Sequence, residues 1–573
     1  MPQDVKELKF SNFSTGLNTT DSSHDFADSD LVIADNVNFK ETGQVESWNA
    51  PLQIGNKIKV NSITATKLLG GKVFNSSQYI MASNGTNARL VKKYTFTGSI
   101  TAYASGGSGL TTVTSNAHSL FDGDSVTISG TTNYNGTYTI SEKTTNTFKI
   151  TLAYTSNDAT GTFSSLGWKE VVSQNFDPDA LCDMIIYSNK LWIVNGQTTN
   201  SNILNFISTS DVLTGLTTSC GLPAGINRLE LHLERVWISY LNSLYVSIQY
   251  PTAANSDWDA SRVYSGSEAP GLIQIDNNTE DTIQRLVSYF GSLVLFRKSS
   301  IHVVNGQTIL SSTIQKSFNS KGFVCPFSLG IADNAIYFLS ETAVKQFQGI
   351  STKDQATQFD NISSQGIDRK IRSEISLSSN KTNWVGYAFQ DRYYLSDKST
   401  KILIFNEITN GWSPFTNSPA QLFIEEAGIL YFGYNDAIYQ FNGSTTGSIT
   451  SHIKTKDYNL GTDQFYKVVE KLTILLSRLS ASSTITLEWY LNGASNPSGT
   501  KSITVNGNKA QWDAGYTWDS GIKWDSTSIN FLQDKQRWIG SCLTIAFGIK
   551  ATGANRFSLS SLDLIFDQIR KES

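Results

Sequence analysis

The chain is built from short apolar-rich runs that break at Gly, Asn or Asp and then resume. "DMIIYSNKLWIVNG" and "RLELHLERVWISYLN" show the pattern. Such runs, each bounded by turn residues, predict antiparallel strands joined by hairpins. One unit recurs without strong identity: a strand, a turn, an aromatic-rich second strand, another turn and a third strand. Copies lie at 67–94, 183–208, 228–248, 284–306, 328–349, 384–406 and 420–443. The second strand of each carries a bulky residue: Tyr79, Trp192, Trp237, Phe296, Tyr337, Tyr393 or Tyr431. From Trp192 onward these recur at roughly 40 to 60 residues, the period of propeller blades with outer loops of varying length. A blade cannot bury both faces alone. Packing blades face to face around an axis buries them and leaves few open edges. The pattern therefore predicts an all-β chain containing a propeller of six or seven blades.

Two regions depart from the repeat. Between the first and second units, alternation at Val126 and Ile128, Tyr138 and Ile140, and Phe148, Ile150 and Leu152 follows a Gly/Ser stretch at Gly106–Gly109. The stretch reads as a linker, and "NYNGTY" as a hairpin signal. This predicts a small β-barrel or sandwich inserted at 97–167. Beyond 447 the runs lengthen, at Val468–Leu476 and Thr484–Leu491, which predicts a β-sandwich over 448–573. The expected layout is an N-terminal arm and lead-in hairpin at 1–52, a first blade at 53–96, the insertion, the remaining blades at 168–447, and the sandwich. No long helix is expected.

Composition agrees with this reading. At 573 residues the chain exceeds one ordinary domain. Charged residues are only 16% and aromatics 11%; Ser, Thr, Asn and Gly fill the difference, which suits strands and tight turns. The net charge of −4 leaves no basic surplus for gripping DNA or an anionic membrane. No apolar run is long enough for a membrane-spanning helix, and "MPQDVKELKF" is not a secretory signal, so synthesis in a cytoplasm is expected.

Candidate chemistry is sparse. Cys182, Cys220, Cys325 and Cys542 are far apart and read as buried free thiols. The five histidines show no metal-ligand spacing, and no HExxH, P-loop, GxSxG or Rossmann pattern occurs. Glu425 and Glu426, with Asp391 and Asp436, are the carboxylates to weigh for glycosidase chemistry, but acidic residues are common beside hairpin turns. The expectation is a non-enzyme without cofactor or metal. The most unusual motif is "QWDAGYTWDSGIKWD", in which Trp512, Trp518 and Trp524 each precede an Asp. "DAGYTW" resembles the end of the Asp-box turn of sialidase-type propellers, with Gln511 in place of the leading Ser. It reads as tight turns with packed Trp, or as an aromatic contact for protein or glycan.

The first 51 residues carry one further signal. "FSTGLNTTDSS" is followed by "LVIADNVNFKETGQVESWNAP", with an apolar patch at Leu31, Val32 and Ile33. Gly16, Leu17 and Asn18, then Ala34 and Asn36, then Gly43 resemble the N-terminal signature of bacteriophage tail hub, nozzle and packaged-DNA stabilisation proteins. The chain departs from it at "ESWNAP", where members often place Arg and Gly. The resemblance implies a virion protein of a short tail, made in the host cytoplasm. It implies a homo-hexameric ring that meets tail adaptor or head–tail connector proteins, and tail fibres. That ring would retain packaged DNA and let it pass on ejection without sequence-specific binding. The arm and its patch would then lie across neighbouring blades or a neighbouring subunit. Two alternatives compete: a receptor-binding or glycan-degrading tail component, and a cell-surface or scaffold propeller unrelated to phage.

Overall fold

The computed structural model describes residues 6–20, 22, 25–171, 176–198, 203–258, 270–276, 280–306, 312–319, 323–332, 335–348, 365–376, 381–461, 466–477, 482–505 and 531–569. Among them nearly all regular structure is strand, and the α-helix Arg372–Ser376 is a single turn. No helix among the described residues is long and apolar enough to cross a membrane.

Seven four-stranded antiparallel blades are described, so the chain is a seven-bladed propeller with added β units. Their innermost strands are Lys67–Phe74, Asp183–Tyr187, Arg228–His232, Ile283–Tyr289, Gly330–Ala332, Val385–Ala388 and Leu422–Glu426. The last packs beside the first and closes the ring. Hairpin connections set the register, for example Tyr187 opposite Lys190 and Asp183 opposite Val194. The seven bulky second-strand residues are all buried. Each fills the seam between neighbouring blades: Trp192 joins Phe206, Val236 and Ile238 in one, and Phe296 joins Phe338 and Phe347 in another. Burying each such side chain contributes about 1.5–3 kcal/mol.

Where blades converge on the axis, inner strands come close. A Cβ on Gly70 would sit 2.6 Å from the Cys182 carbonyl oxygen, and one on Gly386 would collide with that of Ser328. Glycine permits this approach.

The fourth strand of blade seven is Ala50–Ile54, which pairs with Ala437–Ser444. The ring is thus latched by a segment that lies nearly four hundred residues earlier in the chain. The fourth strand of blade one is Thr162–Glu170, opposite Ala88–Ser99. Between these two, five strands extend the same sheet outward around Tyr103, Tyr134, Phe148 and Phe163. Here the Gly106–Gly109 stretch differs from a linker. It closes a hairpin, with Gly107 opposite Leu110. Ser108 (φ 52°) and Gly109 (φ 80°) both adopt the left-handed conformation that a two-residue hairpin turn demands.

The C-terminal strands form two sheets over one core. In one, Tyr466–Ser477 lies between Phe531–Cys542 and Ser558–Ile569. The other contains Ser451–Thr455, Ile545–Ala551, Ser483–Leu491 and Gly499–Val505. Their shared core, with Leu472, Ile474, Ile485 and Phe547, runs without a break into the seam between blades five and six, at Tyr337, Tyr393 and Phe405. Phe13, Leu17, Leu31, Val37 and Phe39 of the arm fill the join.

Candidate functional site

Two constructions stand out: the junction made by the arm, and the cavity on the propeller axis.

The arm is a structural stitch. Gly16–Leu17 pairs in parallel with Asp30–Asp35 and, through Gly16 and Trp412, with the outer strand of blade six. Asp30–Asp35 then pairs with Ser451–Thr455. One ten-stranded sheet therefore runs from blade six into the C-terminal sandwich. Each signature residue has a local reason. Gly16 sits at φ 72°, where a Cβ would lie 2.6 Å from the Trp412 carbonyl oxygen. Asn18 donates from Nδ2 to Asp30 at 2.9 Å, and Leu17 and Ala34 are buried. Asn36 adopts φ 56° and donates from Nδ2 to Thr416 Oγ1 at 2.8 Å and to the Thr450 carbonyl at 2.7 Å. Its Oδ1 accepts from the Thr416 amide at 2.8 Å. Gly43 (φ 86°) turns the hairpin against Ser11 and Asn12.

Asp30 also accepts from Lys370 Nζ and Thr15 Oγ1, both at 2.5 Å. Burial pushes this carboxyl up, but the bonds from Lys370, Thr15 and Asn18 outweigh it and hold the group below its ordinary range.

Of the patch expected to meet a partner, Leu31 is fully buried inside the chain's own core, while Val32 and Ile33 are half-buried. Trp512, Trp518 and Trp524 lie outside the described residues. The four weighed carboxylates do not converge. Glu426 is bonded to Lys93 and Gln78, each at 2.9 Å. Asp436 pairs with Lys57 at 2.8 Å, and Asp391 occupies an exposed turn. Glu425 faces the axis. Period-two alternation along Leu422–Glu426 sends it and Glu426 to opposite faces.

The axial cavity has a volume of about 450 Å³ and is lined by residues of all seven inner strands or their lead-in segments. Its polar wall was not anticipated from the sequence. Asp183 of blade two accepts from Arg285 Nη1 of blade four at 2.6 Å and from the Leu229 amide of blade three at 3.1 Å. Behind the wall, Arg228 lies over the Phe327 ring, 4.4 Å from its centroid, and donates from Nε to the Gln284 carbonyl at 3.0 Å. Burial lowers the Arg228 guanidinium to about 10, against the opposing pull of Asp183. Glu230 is half-buried at the cavity edge, where the Leu231 amide bonds its carboxyl and no cation lies at contact distance among the described residues. Burial raises its carboxyl to about 7, although Arg285 draws it down. Tyr387 donates to Glu425 at 3.4 Å and stacks on Phe423. Burial and Glu425 push its phenol up to about 12.

The sequence did hold a signal for this wall: "DMIIY", "RLELH" and "QRLVSY" each carry charge inside an otherwise apolar innermost strand. A buried charge needs partners, and the axis is where successive inner strands supply them. Among the described residues no group of three His, Cys, Asp or Glu could hold a metal ion, and all four cysteines are buried free thiols.

The chain is similar to the WD40 domain of Pan2 from Neurospora crassa at 7% identity, covering 66% of this chain and 90% of that one, with a TM-score of 0.32. It is similar to the endosialidase of phage phi92 at 14% identity, covering 77% and 69%, with a TM-score of 0.20. It is also similar to an exo-β-1,3-galactanase from Phanerochaete chrysosporium at 8% identity, covering 67% and 95%, with a TM-score of 0.20. No family model matches the chain, and no curated protein matches it in sequence. The propeller assignment rests on the strand pairing itself.

Proposed function

We propose that the chain is a structural virion protein, the tail hub or nozzle subunit of a short-tailed bacteriophage. In this reading copies assemble as a homo-hexameric ring on a tail adaptor, retain the packaged genome and let it pass on ejection. One observation carries the reading. The six residues that resemble the tail-hub signature, Gly16, Leu17, Asn18, Ala34, Asn36 and Gly43, belong to one arm that locks the propeller to the sandwich. The signature therefore describes the part of the molecule that makes two β units a single rigid block. A subunit that must resist the pressure of packaged DNA needs such a block.

The size of the axial cavity supports a DNA path outside the propeller. A space of about 450 Å³, crossed by the Asp183–Arg285 pair, is of small-molecule size. In this reading passage belongs to a lumen between subunits, not to the propeller axis. With a net charge of −4 the chain offers no surplus cation to hold passing phosphates. The test is genome retention. Phage particles assembled without this chain are expected to package DNA and then lose it, read as empty heads after gradient purification. Full, stable heads without it would contradict the reading.

A further inference from the structure

The axial cavity has features that a purely structural propeller does not require. Ring closure needs apolar seams, and those are supplied elsewhere. The cavity instead gathers charge of both signs beside half-buried aromatic surface. Asp183 and Arg285 satisfy each other. Glu230 and Glu425 have no cation at contact distance among the described residues, and Lys72, which also lines the cavity, has no anion at contact distance. Arg228 is held flat on Phe327 by the backbone carbonyls of Asn227 and Gln284.

Charge balance narrows the ligand. An anion would meet Glu425 and Asp183; a cation would meet Lys72 and Arg285. A neutral molecule rich in hydroxyls suits both, because hydroxyls donate to carboxylates and accept from guanidinium and ammonium groups. Tyr387 supplies a flat apolar surface beside these groups, with its hydroxyl directed to Glu425. The volume of about 450 Å³ falls within the range of small-ligand sites.

We infer that the axial cavity binds a neutral saccharide, its apolar face on Tyr387 and its hydroxyls on Glu230, Glu425 and Lys72. The inference is independent of assembly on a tail, since it concerns the cavity of a single chain. The partial protonation of Glu230 near neutrality lets that carboxyl serve as donor or acceptor, so binding would vary between pH 5 and pH 8.

The test uses the full chain and a panel of neutral gluco-, galacto- and manno-configured oligosaccharides. Binding is read by saturation-transfer NMR and titration calorimetry, with acidic oligosaccharides and free phosphate as comparison. Saturable binding of a neutral member is expected. Tyr387→Ala should weaken it by about ten-fold, the size of a lost aromatic contact. Glu230→Gln, which keeps the shape of the side chain, should weaken it less and abolish its change between pH 5 and pH 8. Thermal melts establish that both variants are folded. Three results would overturn the inference: no binding by any neutral saccharide, binding of the charged probes alone, or neutral binding that both folded variants leave unchanged.

Discussion

At the scale of single residues, the account depends on side chains that answer more than one demand. Asn36 combines a left-handed backbone with three side-chain hydrogen bonds that join the arm, blade six and the first strand of the sandwich. Asn36→Ala is expected to cost on the order of 2–3 kcal/mol, at about 1 kcal/mol for each net hydrogen bond. Asn36→Gly loses the same bonds but tolerates the backbone, so it should be less damaging by about 1 kcal/mol; denaturant titration of the two variants checks the order. Equal losses would mean that the backbone conformation carries no strain. Glu230 gives a prediction with a definite sign. Its carboxyl titrates near 7 in the fold against 4.5 ordinarily, so the folded state binds the proton more tightly. Stability from this group is therefore present below about pH 4.5 and lost as the pH rises toward 7. Glu230→Gln should gain on the parent chain at pH 8 and not at pH 4, measured by melts at both. A difference independent of pH would remove the buried, unpaired carboxylate from the account. His232 acts in the opposite sense. Burial lowers it to about 4, so its contribution is present above 6.5 and lost as the pH falls toward 4.

At the scale of elements, the first three strands of each blade were legible because they are inner, apolar and joined by short turns. The fourth strands were not. Gly271–Gln274 is half-exposed along its length, and Gln365–Gly366 is two residues long, so neither shows an alternation to read. Blade seven hides its fourth strand further, because Ala50–Ile54 is remote in sequence and nothing local announces it. The Gly106–Gly109 turn was missed for the reverse reason: its composition is that of a linker, and only the pairing of Gly107 with Leu110 distinguishes the two. The apolar patch at Leu31 was legible as a patch, but its cover turned out to be the chain's own sandwich and propeller. A chain beginning at residue 56 leaves blade seven with three strands and strips Phe13, Leu17, Leu31, Val37 and Phe39 from the shared core. It is expected to melt broadly and far below the full chain in calorimetry. A single sharp transition within a few degrees of the parent would show that the latch is dispensable.

At the scale of the whole molecule, the continuous core and the ten-stranded sheet make propeller, arm and sandwich one body, with the inserted strands projecting from blade one. The sequence displayed the propeller as a repeat, whereas the axial cavity showed in it only as isolated charges within apolar inner strands, because the cavity gathers residues from seven separate units. A rigid body closed on its own axis can form a channel only by association, and that is the central claim to test. Single-particle electron microscopy of the purified chain, free and on the virion, tests it most directly. The account predicts a sixfold ring at the tail tip, with a lumen between subunits and each propeller axis closed. Density projecting sideways from the particle with no central channel would contradict it.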